Sequence, residues 1–178
     1  TFSGSALTIN GSLTSNGNAS FGISSLYFEG TGAQTINIGT TAIRFTTGEL
    51  FFRGAGSGTY TFTGQEHNMG AGIRVITRSV FTDYNLKIYR LQVEESTSSK
   101  TINFSNKTIT LTATGDYDNA LFARSPNTTY SFSGARIIAS SGILIRSKVN
   151  FQCQYLEYNN PLRTFFRTDI PTGDTSYI

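Results

Sequence analysis

Leu26-Tyr27-Phe28-Glu29-Gly30-Thr31-Gly32 returns as Leu50-Phe51-Phe52-Arg53-Gly54-Ala55-Gly56, a shift of 24 residues. On that shift Thr35 falls over Thr59, and Ile36 and Ile38 fall over Tyr60 and Phe62. A shorter copy comes first: Leu7, Ile9 and Gly11 lie 19 residues before Leu26, Phe28 and Gly30. Leu86, Leu111 and Ile137 open further strand-like segments at spacings of 25 and 26. The block Thr59-Tyr60-Thr61-Phe62-Thr63-Gly64 comes back as Thr129-Tyr130-Ser131-Phe132-Ser133-Gly134, 70 residues later and close to three such periods. Self-similarity at periods of ~20–50 residues marks a stacked architecture, in which each repeat buries its apolar face against the next.

Inside each repeat the pattern is strand, turn, strand. Leu7/Ile9, Ile36/Ile38, Tyr60/Phe62, Ile102/Phe104, Ile109/Leu111 and Ile143/Ile145 form apolar pairs spaced by two, with mostly polar residues between. That alternation sends one side chain inward and the next to solvent. Glycine-rich breaks at Gly30-Thr31-Gly32, Gly54-Ala55-Gly56-Ser57-Gly58 and Gly70-Ala71-Gly72 supply the corners a coiling chain needs. The fold expected is all-β: a right-handed parallel β-helix, or β-solenoid, of about seven coils. Leu26, Phe28, Ile36, Ile38, Leu50, Phe52, Tyr60 and Phe62 should point inward, with Phe28 beside Phe52. The alternative is an antiparallel β-sandwich or jelly roll, which accounts for the strand density but not for the shifted copy. The solenoid body is expected over 1–160. Pro161, Pro171 and the segment Arg163–Arg167 interrupt the repeat, so 161–178 reads as a C-terminal cap or extended tail.

Composition agrees. Thr, Ser, Gly and Asn supply 77 of 178 residues and Phe and Tyr another 23, a balance that favours strands and turns over helices. No apolar run approaches the ~18 residues of a membrane-spanning helix, so no membrane insertion is expected. Fourteen Lys+Arg against 11 Asp+Glu leave +3 with no dense basic cluster, so no nucleic-acid partner is expected either. Residues 1–64 hold only Glu29, Arg44, Glu49 and Arg53 as charged side chains. A Thr/Ser/Asn surface with so few charges offers little resistance to self-association. The first residue is Thr1 and no apolar leader follows it, which reads as a processed product or a piece of a longer chain.

Candidate chemistry is sparse. Cys153 is the single cysteine and, spaced by two from Phe151 and Tyr155, reads as a small buried hydrophobe. His67, in Gln65-Glu66-His67-Asn68, reads as an exposed or capping loop residue. A general base there would need a nucleophile and an orienting carboxylate. Asp116 and Asp118 alternate as calcium-loop oxygens do, but without the later Glu and the turn Gly of an EF-hand. The segment reads as an Asx-rich turn, and whether it binds a metal stays open. Glu94 and Glu95 are adjacent, so a strand turns them to opposite sides and they form no acid/base pair. Glu29 and Arg53, 24 apart, should stack as an ion pair. Thr59/Thr61/Thr63 and Thr108/Thr110/Thr112/Thr114 suggest an ice-binding array only if Thr repeats in consecutive coils. Asn37 and Gly39, one shift before Thr61 and Thr63, break it. No catalytic, cofactor or metal residue is assigned.

Gly32-Ala33-Gln34-Thr35-Ile36-Asn37-Ile38-Gly39-Thr40-Thr41-Ala42 resembles segments of bacteriophage fibre and virion-surface proteins. Lys100-Thr101-Ile102-Asn103-Phe104-Ser105-Asn106-Lys107-Thr108-Ile109-Thr110-Leu111 is similar to repeats of bacterial and phage β-solenoid adhesins. The resemblance implies a non-enzymatic structural or attachment module of a fibre, spike or decoration protein at a virion or cell surface. It also implies a homotrimer, with other virion or surface structural proteins and a host-surface glycan as partners, and it carries over no functional residue. The alternatives are a carbohydrate-cleaving tailspike-like enzyme and a secreted binding domain or capsid jelly roll.

Overall fold

The computed structural model describes residues 2–15, 21–38, 48–114, 120–145, 149–159 and 166–167. The first coil is β1 (Phe2–Ile9) and β2 (Leu13–Thr14), the second β3 (Phe21–Phe28) and β4 (Ala33–Asn37). The third coil gains another strand: β5 (Glu49–Phe52), β6 (Thr59–Phe62) and β7 (His67–Asn68). It is followed by β8 (Gly72–Val75), β9 (Ser79–Thr82) and β10 (Leu86–Ile88), then by β11 (Leu91–Val93), β12 (Lys100–Asn103) and β13 (Thr108–Leu111). Next come β14 (Leu121–Ala123) and the long β15 (Thr128–Ala139), then β16 (Ile143–Ile145), β17 (Cys153–Tyr158) and β18 (Phe166–Arg167).

Every strand pairing among the described residues is parallel. The chain is a parallel β-solenoid, and the antiparallel sandwich is excluded. Its first face stacks β1, β3, β5, β8, β11, β14, β16 and β18. The second stacks β2, β4, β6, β9, β12 and the start of β15, and the third β7, β10, β13, the end of β15 and β17. Among the described residues eight strands stack on the first face and six on the second, a solenoid of about six turns where seven coils were expected. Of 161–178, only β18 is described; it pairs with β16, and the rest of that range lies outside the described residues.

The interior is a set of ladders. On the first face Leu7, Leu26, Leu50, Ile73, Leu91, Leu121 and Ile143 stack in one column, and Ile9, Phe28, Phe52, Val75, Val93, Ala123 and Ile145 in the next. All eight residues expected to point inward are buried. Phe28 and Phe52 are register partners with ring centroids 5.0 Å apart and planes 9° from parallel, and Tyr60 meets both edge-on. Stacked neighbours of this kind add about 0.5–1.5 kcal/mol each beyond the area they bury.

The repeat is less regular than a shift of 24 implies. Leu26 does lie over Leu50, but on the second face Gln34 lies over Tyr60 and Ile36 over Phe62, a shift of 26. Four residues join β3 to β4 and six join β5 to β6. Gly54 and Gly56, at φ of 117° and 77°, let the longer arc bulge without moving the strands. On the third face the column runs Leu86, Ile109, Ile137, while Leu111 ends its strand beside Ile88 and Ala139. Leu86, Leu111 and Ile137 therefore do not stack. The 70-residue echo is in phase: Tyr60, Val80, Ile102 and Tyr130 are successive rungs, three steps apart end to end.

Candidate functional site

Between the two inward columns of the first face runs an outward one: Thr8, Tyr27, Phe51, Arg74, Gln92, Phe122 and Leu144. Strand alternation alone puts them there. Arginines lie on the rings, with the Arg53 guanidinium carbon 3.7 Å from the Tyr27 centroid and that of Arg124 3.8 Å from Phe122. Carboxylates tie the arginines together. Glu29 accepts from Arg53 Nε at 2.9 Å, which is the expected ladder pair. Arg74 Nε sits 3.3 Å from Glu49 and 3.4 Å from Glu94, Arg90 pairs with Glu49, and Arg124 reaches Glu94 at 3.3 Å. Two carboxylates flanking Arg74 would otherwise suggest acid/base chemistry. Here three guanidiniums share the two carboxylates: Arg74 lies between them, Arg90 holds Glu49 and Arg124 holds Glu94.

A second group of cations faces the interior. Arg78, at the corner between first and second faces, is fully buried. Its Nη2 donates to the carbonyls of Glu29 at 2.7 Å and Ala55 at 2.9 Å, and its Nη1 donates to Gly56. One coil on, Lys100 is also buried, and its Nζ donates to the carbonyls of Ile76 at 2.7 Å and Glu94 at 2.8 Å. Both plug the corner by supplying donors to main-chain oxygens that the strand ladders leave unpaired. Burial lowers the Lys100 pKa to about 8, and the Glu94 charge pulls it partly back. Charged side chains are expected outside, and only pairing with backbone oxygens permits this inversion.

His67 corrects an expectation. It is buried, not an exposed or capping loop residue, and stands in β7 at the head of the column Leu86, Ile109, Ile137, with its ring edge-on to Phe62 at 5.3 Å. Neither ring nitrogen has a hydrogen-bond partner. Burial lowers its pKa, and the Gln65 backbone opposes this more weakly. The signal was parity, since positions 67, 69, 71, 73 and 75 are all buried. Gly70 and the polar neighbours hid it.

Cys153 is a second correction. It is free but only half-buried, and Tyr155 is 64% exposed, while Phe151 is buried as expected. The cause is a register jump. Phe132 pairs with Cys153 and Arg136 with Tyr155, so Ser133, Gly134 and Ala135 oppose Gln154 alone. β15 rounds the corner in three residues and β17 crosses it in one. The two coils part there, leaving an open cleft of about 760 Å³. Half-buried Tyr130 lines it, with buried Phe132 and Phe151 behind, Phe151 lying 4.8 Å from Phe132 and 5.8 Å from Tyr130, and Ser105, Asn106, Ser133, Gln152 and Gln154 line the rest. Gly134 at φ 68° turns the corner above Asn106 at φ 59°, and a Cβ at Gly134 would collide with the Asn106 side chain.

The remaining candidates do not converge on a site. Glu94 belongs to the ion-pair ladder, and Glu95 follows it as an exposed residue. Asp116 and Asp118 lie outside the described residues. Thr61 lies between Thr35 and Phe81, and Thr110 between Lys87 and Ile138, so neither run forms a threonine array. Among the described residues no three His, Cys, Asp or Glu side chains group as metal ligands. No helix of the described residues is long and apolar enough to cross a membrane. Comparisons with protein-family models, with curated proteins and with solved structures find no match.

Proposed function

We propose that this chain is an attachment module of a fibre, spike or decoration protein at a virion or cell surface, holding surface glycans without cleaving them. The observation that carries this reading is how the solenoid uses its charged groups. Glu29, Glu49, Glu94 and Glu157 are tied to arginines along the stack, while the open cleft is walled by hydroxyls and amides. Charge holds the scaffold together, and neutral polar groups face what comes from outside. A ladder of packed rings and aliphatic side chains is also a stiff support for displaying a weak site in several copies.

The same reading includes a homotrimer. The second face in the first coils presents Thr35, Thr59 and Thr61 beside Ala33, an uncharged surface suited to lateral packing in a closed ring. Printed arrays of neutral and acidic surface glycans test the attachment: the protein should be retained on a subset, and retention on none contradicts it. Light scattering tests the trimer. Three times 19.4 kDa is expected, and 19.4 kDa at micromolar concentration refutes it.

A further inference from the structure

We infer that the cleft between β15 and β17 is a binding site for a neutral pyranose-based glycan. This rests on the attachment reading and assigns it a place and a ligand class. The cleft arises from the unequal corner, where three residues of β15 oppose Gln154 alone, and its volume of about 760 Å³ falls inside the ~300–1,000 Å³ of small-molecule sites. Among the described residues no Asp, Glu, Lys, Arg or His lines it, although the outer first face of the same chain is crowded with Arg and Glu. A phosphate, sialate or uronate would meet no cation among the described lining residues, and burying an uncompensated anion is costly. What the lining does offer is the half-buried ring of Tyr130, together with the Ser133 hydroxyl and the Asn106, Gln152 and Gln154 amides. An amide both donates and accepts, as a sugar hydroxyl does, and a ring supplies the apolar surface that a pyranose C–H face covers. Gln152 and Gln154 are exposed, and the hydrogen bonds that tie the adjoining corner do not use the Asn106 amide. These groups are free to turn toward a ligand.

Cys153 lines the same cleft and is the only thiol of the chain, which makes it a reporter. The full chain is exposed to iodoacetamide with and without neutral oligosaccharides of glucose, galactose, mannose and N-acetylhexosamines, and with sialylated and uronate-containing ones. A neutral oligosaccharide should slow Cys153 alkylation about tenfold at ten times its Kd, by mass action. Gln152→Ala combined with Gln154→Ala should weaken glycan binding about tenfold, the factor equal to ~1.4 kcal/mol. Ser133→Trp, at an exposed position, should block it, with unchanged circular dichroism showing that both variants are folded. Neutral glycans that bind wild type but neither protect Cys153 nor respond to the variants overturn the cleft assignment and leave attachment standing, as does binding restricted to acidic glycans. A wild-type protein that binds no glycan overturns both.

Discussion

Replacing Arg78 by Met removes the guanidinium and keeps most of the stem, so it isolates what the buried cation does. Three carbonyls lose their donor: those of Glu29, Ala55 and Gly56. A buried acceptor left unpaired costs ~1–3 kcal/mol, so the gross loss is about 3–9 kcal/mol. Two effects reduce it. Ala55 and Gly56 sit in an exposed arc, so their oxygens can turn to water. Removing the cation also returns its desolvation penalty, which is several kcal/mol for a buried ion. The expected net destabilisation is about 3 kcal/mol, near the lower end of the range set by the orphaned acceptors. Arg78→Lys should lose about a third as much, because an ammonium at this corner spans two carbonyls, as Lys100 does, and not three. Equilibrium urea unfolding followed by circular dichroism measures both, with the slope on denaturant unchanged. An Arg78→Met protein within ~0.5 kcal/mol of wild type would refute the plug, since that is the scatter of surface substitutions with no structural role.

Lys100 makes a pH prediction. Burial holds its pKa at about 8 against 10.5 in the unfolded chain, so between those values the unfolded state binds more protons and stability rises with pH. The rise should reach up to about 3 kcal/mol by pH 10.5 and vanish in Lys100→Met, read from urea midpoints across pH. His67 works at the other end: its lowered pKa means stability falls as pH drops below 6.5. His67→Leu should flatten that fall and, by removing two unpartnered nitrogens from an apolar column, raise stability at pH 7 by about 1 kcal/mol. Phe52→Ala, which empties the position between Phe28, Tyr60 and Phe62, should cost about 3–5 kcal/mol in the same urea experiment.

The stack was legible in the sequence because parallel coils place like on like. Leu26-Tyr27-Phe28 over Leu50-Phe51-Phe52 is both the repeat and the observed register. Arc length was not legible. Two extra residues around Gly54 and Gly56 change the shift on the next face, and a turn can absorb them without leaving a trace in the alternation. The buried cations were hidden for another reason. Arg78 and Lys100 are charged at inward corner positions, and all of their carbonyl partners except Glu94 belong to other coils, up to 49 residues away. The Glu29–Arg53 pair, by contrast, followed from the repeat spacing itself. The cleft depends on a register jump between β15 and β17, where neither strand carries a glycine-marked repeat of the other, so its lining of Asn106, Gln152 and Gln154 went unremarked.

Attachment without turnover is the central claim, and the most direct measurement is a reducing-end time course on a glycan the protein is shown to retain. Protein and glycan are incubated at saturating concentration for hours, with reducing ends and unsaturated uronate products followed together. Attachment predicts a saturable binding isotherm and a flat time course at every protein concentration. A product signal that grows linearly with time and with protein concentration would contradict it and make the solenoid a carbohydrate-cleaving spike.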